Sequence, residues 1–161
     1  RPNNLDRPRI GLDGYSFVHL QRSASTNNVT GDGTEYTVVW NNEIVDKLGD
    51  WDGSTLFTAR TTGYHKISCN IFVYHMADAN TSTSCEIVSA GPTRDYLVWT
   101  NTRDYNDDEG EMVEFATNIH MTVGGTFTMF IKVQGEATDT KSVHVDGGVK
   151  YARMTIEYIG V

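Results

Sequence analysis

The chain has 161 residues, enough for one ordinary domain. A chain of this size buries roughly two thirds of its unfolded surface, so it needs no disulfide scaffold or structural metal. Thirteen Lys and Arg stand against 21 Asp and Glu, a net charge of −8 that repels nucleic acid and anionic lipid; no apolar run approaches a membrane-spanning length, which speaks against membrane insertion.

In chain order, residues 1–14 read as an N-terminal extension or stalk connection, and residues 15–161 as one domain. Because the chain begins at Arg1 rather than Met, it is expected to be a processed or excised fragment. Apolar residues at helical spacing are absent from every long segment, and period-2 alternation replaces them. Strands are predicted near 15–21, 35–40, 43–46, 56–60, 63–76, 84–89, 94–100, 111–123, 126–134 and 149–159. The alternation is plainest in Ile67, Cys69, Ile71, Val73, in Phe127, Met129, Ile131, Val133, and in Ala152, Met154, Ile156, Tyr158. The second face of 63–76 is itself partly aromatic, with Tyr64, Phe72 and Tyr74, as if another subunit covers it. Cys69 and Cys85 lie inside strand-like runs, outside any Cys-x-x-Cys motif, and read as buried reduced thiols.

Two kinds of connection alternate from 63–76 onward. Thr61-Thr62-Gly63, Ala90-Gly91-Pro92-Thr93 and Gly124-Gly125 are tight turns, whereas 22–34, 77–83, 101–110 and 135–148 are long and polar. Successive connections of an antiparallel fold lie at opposite ends, so the long loops are expected to crowd at one end, where binding residues usually gather. The termini are expected at the other end.

Four segments carry a family resemblance: Tyr15-Ser16-Phe17-Val18-His19-Leu20; Phe57-Thr58-Ala59 with Thr62-Gly63-Tyr64-His65-Lys66-Ile67-Ser68-Cys69; Ile119-His120-Met121-Thr122-Val123-Gly124-Gly125; and Tyr151-Ala152-Arg153-Met154-Thr155-Ile156. Their order and intervals resemble the globular heads of the complement first-component and adiponectin group, within the tumour necrosis factor-like jelly rolls. Related heads end the fibres and spikes of bacteriophages. Several positions depart from the family. His65 and Ile67 stand where it prefers aromatics, Gly125 replaces its Asp, Arg153 replaces a small Gly, and residues 1–14 hold no Gly-X-Y repeat. Thr30-Gly31-Asp32-Gly33-Thr34 and Ser68-Cys69 are more similar to phage or microbial members. The resemblance implies an all-β, ten-strand antiparallel jelly-roll sandwich acting as a homotrimer. Its trimer interface would use Phe72, Tyr74, Glu114, Tyr151, Arg153 and Glu157, with Arg153 paired to Glu114 or Glu157 of a neighbour.

No constellation singles out catalysis. No Gly-x-Ser-x-Gly elbow or phosphate loop is present, and nothing marks two carboxylates as a glycosidase pair. His65 and His75 share a strand face by parity but lie roughly 33 Å apart at ~3.3 Å per residue, too far for a common metal. The densest acidic cluster is Asp104-Tyr105-Asn106-Asp107-Asp108-Glu109-Gly110. Calcium is the ion such an oxygen-rich loop would take, but the alternating ligand order of an EF-hand is missing, and no cofactor is expected. Asp104, Tyr105, Asp107, Asp108 and Glu109 are therefore candidate receptor contacts. Trp51, Trp99 and Tyr105 are candidates for stacking on sugar rings, and Asn28-Val29-Thr30 and Asn80-Thr81-Ser82 fit the glycosylation triplet. The expected function is a non-enzymatic receptor-binding head of a viral or bacteriophage fibre or spike, on the virion surface or outside the cell, recognising a host surface glycan or protein. A secreted complement- or adiponectin-like head, or a structural trimerisation cap, is the alternative.

Overall fold

Alternation of apolar and polar residues becomes alternation of buried and exposed positions in the computed structural model, which describes residues 15–90, 93–148 and 152–161. Twelve strands form among these residues: β1 (Phe17–Gln21), β2 (Thr26–Thr30), β3 (Glu35–Thr37), β4 (Asn42–Asp46), β5 (Phe57–Thr58), β6 (Gly63–Met76), β7 (Ser82–Ala90), β8 (Arg94–Thr102), β9 (Glu109–Met121), β10 (Thr126–Gln134), β11 (Val143–Val145) and β12 (Ala152–Gly160). All named pairings are antiparallel.

The long strand β6 organises the first sheet. One edge pairs with β9 from Gly63↔Met121 to Met76↔Glu109. The other edge is shared by β12, along Tyr64 to Ile71, and β11, at Val73 and Tyr74. Beyond them lie β1 and β4 on one path and β2 on the other. In the second sheet β7 separates β10 from β8, and the short strands β3 and β5 share the far edge of β10. Val18, Leu20, Ile67, Ile71, Val73, Met154 and Ile156 face Ile87, Phe127, Met129, Ile131 and Val133, all fully or almost fully buried. Removing this much apolar side chain from water is the main force closing the sandwich.

The strand count of ten is corrected to twelve among the described residues. β2 (Thr-Asn-Asn-Val-Thr) and β11 (Val-His-Val) lie within the segments 22–34 and 135–148, expected to be loops. They pair with each other, and β11 continues the edge of β6. Segments so short and polar carry no usable hydrophobic period, and long-range pairing alone makes them strands. The predicted strand 149–159 begins outside the described residues and is seen as Ala152–Gly160. Residues 1–14 also lie outside them. Cys69 and Cys85 are buried and free, and burial raises both thiols above their ordinary range.

Candidate recognition surface

The long connections meet at one end of the sandwich. Arg103 N–H donates to Thr81 O (3.0 Å), Thr81 N–H to Gln134 O (2.9 Å), and Glu136 N–H to Gly31 O (3.0 Å). Asp32 ties two of these segments, its carboxylate accepting from Thr34 N–H (2.9 Å) and Asp139 N–H (3.1 Å). Asn80, fully buried, accepts from Ala77 N–H (2.8 Å) and donates to Gly31 O (3.4 Å). At the opposite end Gly124 N–H bonds to Ala59 O, Ala59 N–H bonds to Gly125 O (both 2.8 Å), and the Tyr15 and Tyr158 rings stack at 6.1 Å. The start of β1 and the end of β12 thus lie at the tight-turn end, away from the loops.

The acidic segment stands at the loop end but is partly engaged. Asp104 is exposed. Asp107 accepts from Asp78 N–H at 3.1 Å, and Asp108 contacts His75 Nδ1 at 3.0 Å. Glu109 accepts from Asn106 N–H at 3.0 Å, a bond that leads in holding its carboxyl below the usual range, and lies 3.5 Å from Arg103. Among the described residues no three His, Cys, Asp or Glu side chains converge into an ion-binding group.

Tyr105 is corrected as a surface contact. It is only 3% exposed, its hydroxyl meets Thr83 Oγ1 (2.8 Å) and Glu111, and Arg103 lies over its ring at 4.7 Å. Burial, followed by the Glu111 carboxylate, pushes the phenol up to about 12. It anchors the acidic loop from beneath, because a tyrosine can fill the apolar floor while its hydroxyl finds polar partners. Trp51 is likewise buried in the core, which removes it as a sugar platform, and Trp99 is half-buried against the core. Asn80 is inaccessible as a glycosylation acceptor in the folded chain, whereas Asn28 is exposed.

The candidate interface residues share the outer face of the first sheet. Phe72 and Tyr74 stack at 5.9 Å, both half-buried, with Phe72 against Gly110 of the neighbouring strand. Asn70 is flanked in register by Arg153 on β12 and Glu114 on β9, and Arg153 and Glu114 line one shallow depression of ≈ 640 Å³ together with Asn70, His19, Ser68 and Thr155. Glu157 stands farther along, opposite Lys66. Arg153, Glu114 and Glu157 are exposed and, among the described residues, form no ion pair within the chain. Tyr151 lies outside the described residues.

His65 and His75 do not share a face, contrary to their parity. His65 is buried in the core, while His75, with φ 64°, sits at a register shift between Tyr74 and Met76 and is exposed. The bulge breaks the two-residue period. It brings His75 beside His144 of β11, with ring centroids 4.7 Å apart, a meeting missed in the sequence because β11 reads as loop.

No protein-family model and no curated protein matches the sequence. Solved structures do. Murine APRIL at pH 5.0 superposes with a TM-score of 0.62 at 14% identity, over 90% of this chain and 99% of that one. The globular domain of zebrafish complement 1qA protein gives 0.59 at 10% identity, over 89% and 97%. Eiger TNF from S. frugiperda gives 0.57 at 7% identity, over 90% and 92%. At such identities the likeness is one of architecture: the chain has the tumour necrosis factor-like jelly-roll fold, shared with the complement globular heads, that its four sequence segments resemble.

Proposed function

We propose that this domain is a non-enzymatic, homotrimeric recognition head at the tip of a viral or bacteriophage fibre or spike, binding a host surface glycan or protein. The observation that most supports it is the gathering of the polar loops at the end opposite the first and last strands, on a fold shared with heads of this shape. A stalk joining at the strand-terminus end leaves the loop end free. There Asp104, Asp107, Asp108 and Glu109 form the proposed contact surface, with Tyr105 beneath it. The proposed trimer contact is the outer face of the first sheet, with Phe72, Tyr74, Glu114, Arg153 and Glu157, and Tyr151 as a further member. Three copies of Arg153 near one axis need acids from neighbours, and Glu114 and Glu157 supply them. Solved structures from mouse, zebrafish and S. frugiperda are among those that match, and that favours a second reading, a secreted recognition or signalling head.

Light scattering should give a trimer mass at micromolar concentration; a monomer removes the trimer reading. Removing one partner of a buried ion pair costs roughly 3–5 kcal/mol, so Arg153→Ala should lower the trimer's melting temperature. Changing Asp104, Asp107 and Asp108 together to Asn should leave the fold intact, since exposed loop changes usually cost little, and should weaken attachment to host cells. Undiminished attachment by that folded variant, with and without a calcium chelator, overturns the acidic-loop assignment and leaves the fold standing.

A further inference from the structure

The His75–His144 pair sits inside an unusual concentration of backbone strain. Among the described residues four non-glycine residues have positive φ, and three of them meet here: Asn28 (56°), His75 (64°) and Asp108 (63°). Left-handed backbone is unfavourable for an L-residue and persists where surrounding structure over-determines it, often at ligand sites. Each strained residue here carries a side chain that touches an imidazole or is one.

The contacts are directional. His75 Nδ1 lies 3.0 Å from Asp108 Oδ1, and His144 Nε2 lies 3.1 Å from Asn28 Oδ1. Both oxygens are acceptors, so each ring donates through that nitrogen, and the opposite one, Nε2 of His75 and Nδ1 of His144, keeps its lone pair. An acceptor behind a ligating histidine fixes the tautomer and strengthens the ligand. The ring centroids are 4.7 Å apart with planes at 69°. Two imidazoles meeting at one tetrahedral ion with bonds of roughly 2.0–2.1 Å place their centroids about 5 Å apart. Tyr74 closes one side, its ring 5.1 Å from that of His144. His75, Asp107 and Asp108 line an open depression of ≈ 310 Å³ on the His75 side of the pair.

We infer that His75 and His144 form a two-histidine clip for a divalent transition ion of the zinc class, positioned by Asp108 and Asn28, with solvent in the remaining coordination positions. Imidazole nitrogen suits this class better than calcium or magnesium, which prefer oxygen. The clip does not depend on the recognition reading and is tested with Zn²⁺ alone.

Calorimetric titration of the full chain with ZnCl₂ should show one Zn²⁺ per chain. His75→Asn keeps a residue tolerant of left-handed backbone and should abolish uptake, as should His144→Gln. Asp108→Asn removes the anionic acceptor and should weaken binding by roughly 10–100-fold. His120→Asn, at the opposite end of β9, should bind as the wild type does. The clip is overturned if the wild-type chain takes up no Zn²⁺. It is equally overturned if His75→Asn and His144→Gln, folded by circular dichroism, bind with unchanged affinity.

Discussion

The two ends of the sandwich are held by different chemistry. At the tight-turn end rings follow one another: Phe127 on Phe57 (5.0 Å), Phe57 on His65 (5.6 Å), His65 on Tyr158 (5.5 Å) and Tyr158 on Tyr15 (6.1 Å). The turns at 61–63 and 122–125 are short and apolar rings fill the space behind them, while the longer 47–56 connection at this end is held by Asp46 and Asp52, each accepting three backbone N–H bonds. The loop end has long connections whose backbone N–H and C=O groups all need partners. Polar side chains provide them. Arg22, 1% exposed, donates to Val39 O (2.7 Å), Asp146 O (2.9 Å) and Thr26 Oγ1 (2.8 Å) and lies over the Tyr36 ring at 5.8 Å. Thr30 accepts from Val133 N–H at 2.9 Å and donates to Thr34 O at 2.7 Å. An end built from directional bonds can vary its exposed side chains while its frame stays put, and the proposed contacts and the histidine clip are both there.

The strongest way to break this contrast is to open the apolar end. Phe57 is fully buried between Phe127 and His65. Phe57→Ala leaves a cavity where the second sheet meets the first, and such truncations cost about 3–5 kcal/mol. Chemical denaturation should show a single transition at lower denaturant with unchanged slope. A loss under about 1 kcal/mol, the scale of an ordinary point change, means the ring chain does not hold this end together.

Arg22→Met is the matching change at the polar end. It keeps the length of the side chain but strands carbonyls that the guanidinium satisfied, and each buried acceptor left without a donor costs about 1–3 kcal/mol. The expected loss, about 2–3 kcal/mol, should be local. Hydrogen exchange should quicken in β2 and β11, which Arg22 pins through Thr26 and Asp146, and stay slow in β6. Uniform acceleration across both sheets would show that the ends are not separately held.

This division also governs what can be read from the chain. Where apolar burial decides the structure, the period is visible: 63–76 and 126–134 coincide with β6 and β10 to the residue. Where long-range polar pairing decides it, local pattern is silent. β2 and β11 exist through each other and through Tyr74 and Val73 of β6. Tyr105 looks like an exposed tip because its neighbours are acidic, yet Thr83, from a different strand, draws its hydroxyl inward. The charge of the 104–109 segment is legible; that Asp108 turns to a histidine 33 residues away is not, since a bulge at His75 sets the meeting.

His65 sharpens the comparison most finely, because it is a polar ring set within the chain of apolar rings. It is fully buried; Nδ1 lies 3.2 Å from Gly63 O, while Nε2 is buried with no hydrogen-bond partner among the described residues. Burial is the leading cause holding its imidazole below the ordinary value of 6.5. The unfolded chain therefore takes up a proton near pH 6.5 that the folded chain resists, and stability falls as pH drops through that value toward the lower folded one. His144 is lowered in the same sense and adds to the fall. Asp50 works in a different window: burial raises its carboxyl, so its share of stability declines as pH rises from the ordinary carboxylate value of 3.8. His65→Phe keeps the ring between Phe57 and Tyr158 and removes the stranded nitrogen. It should be neutral to about 1 kcal/mol stabilising at pH 7.5, where the lost bond to Gly63 offsets the relief. Its advantage over the wild type should widen between pH 6.5 and 5. Melting curves of the two proteins across that range decide the matter: parallel pH profiles would place the acid sensitivity at the loop end, and a flattened profile for His65→Phe would place it in the apolar end.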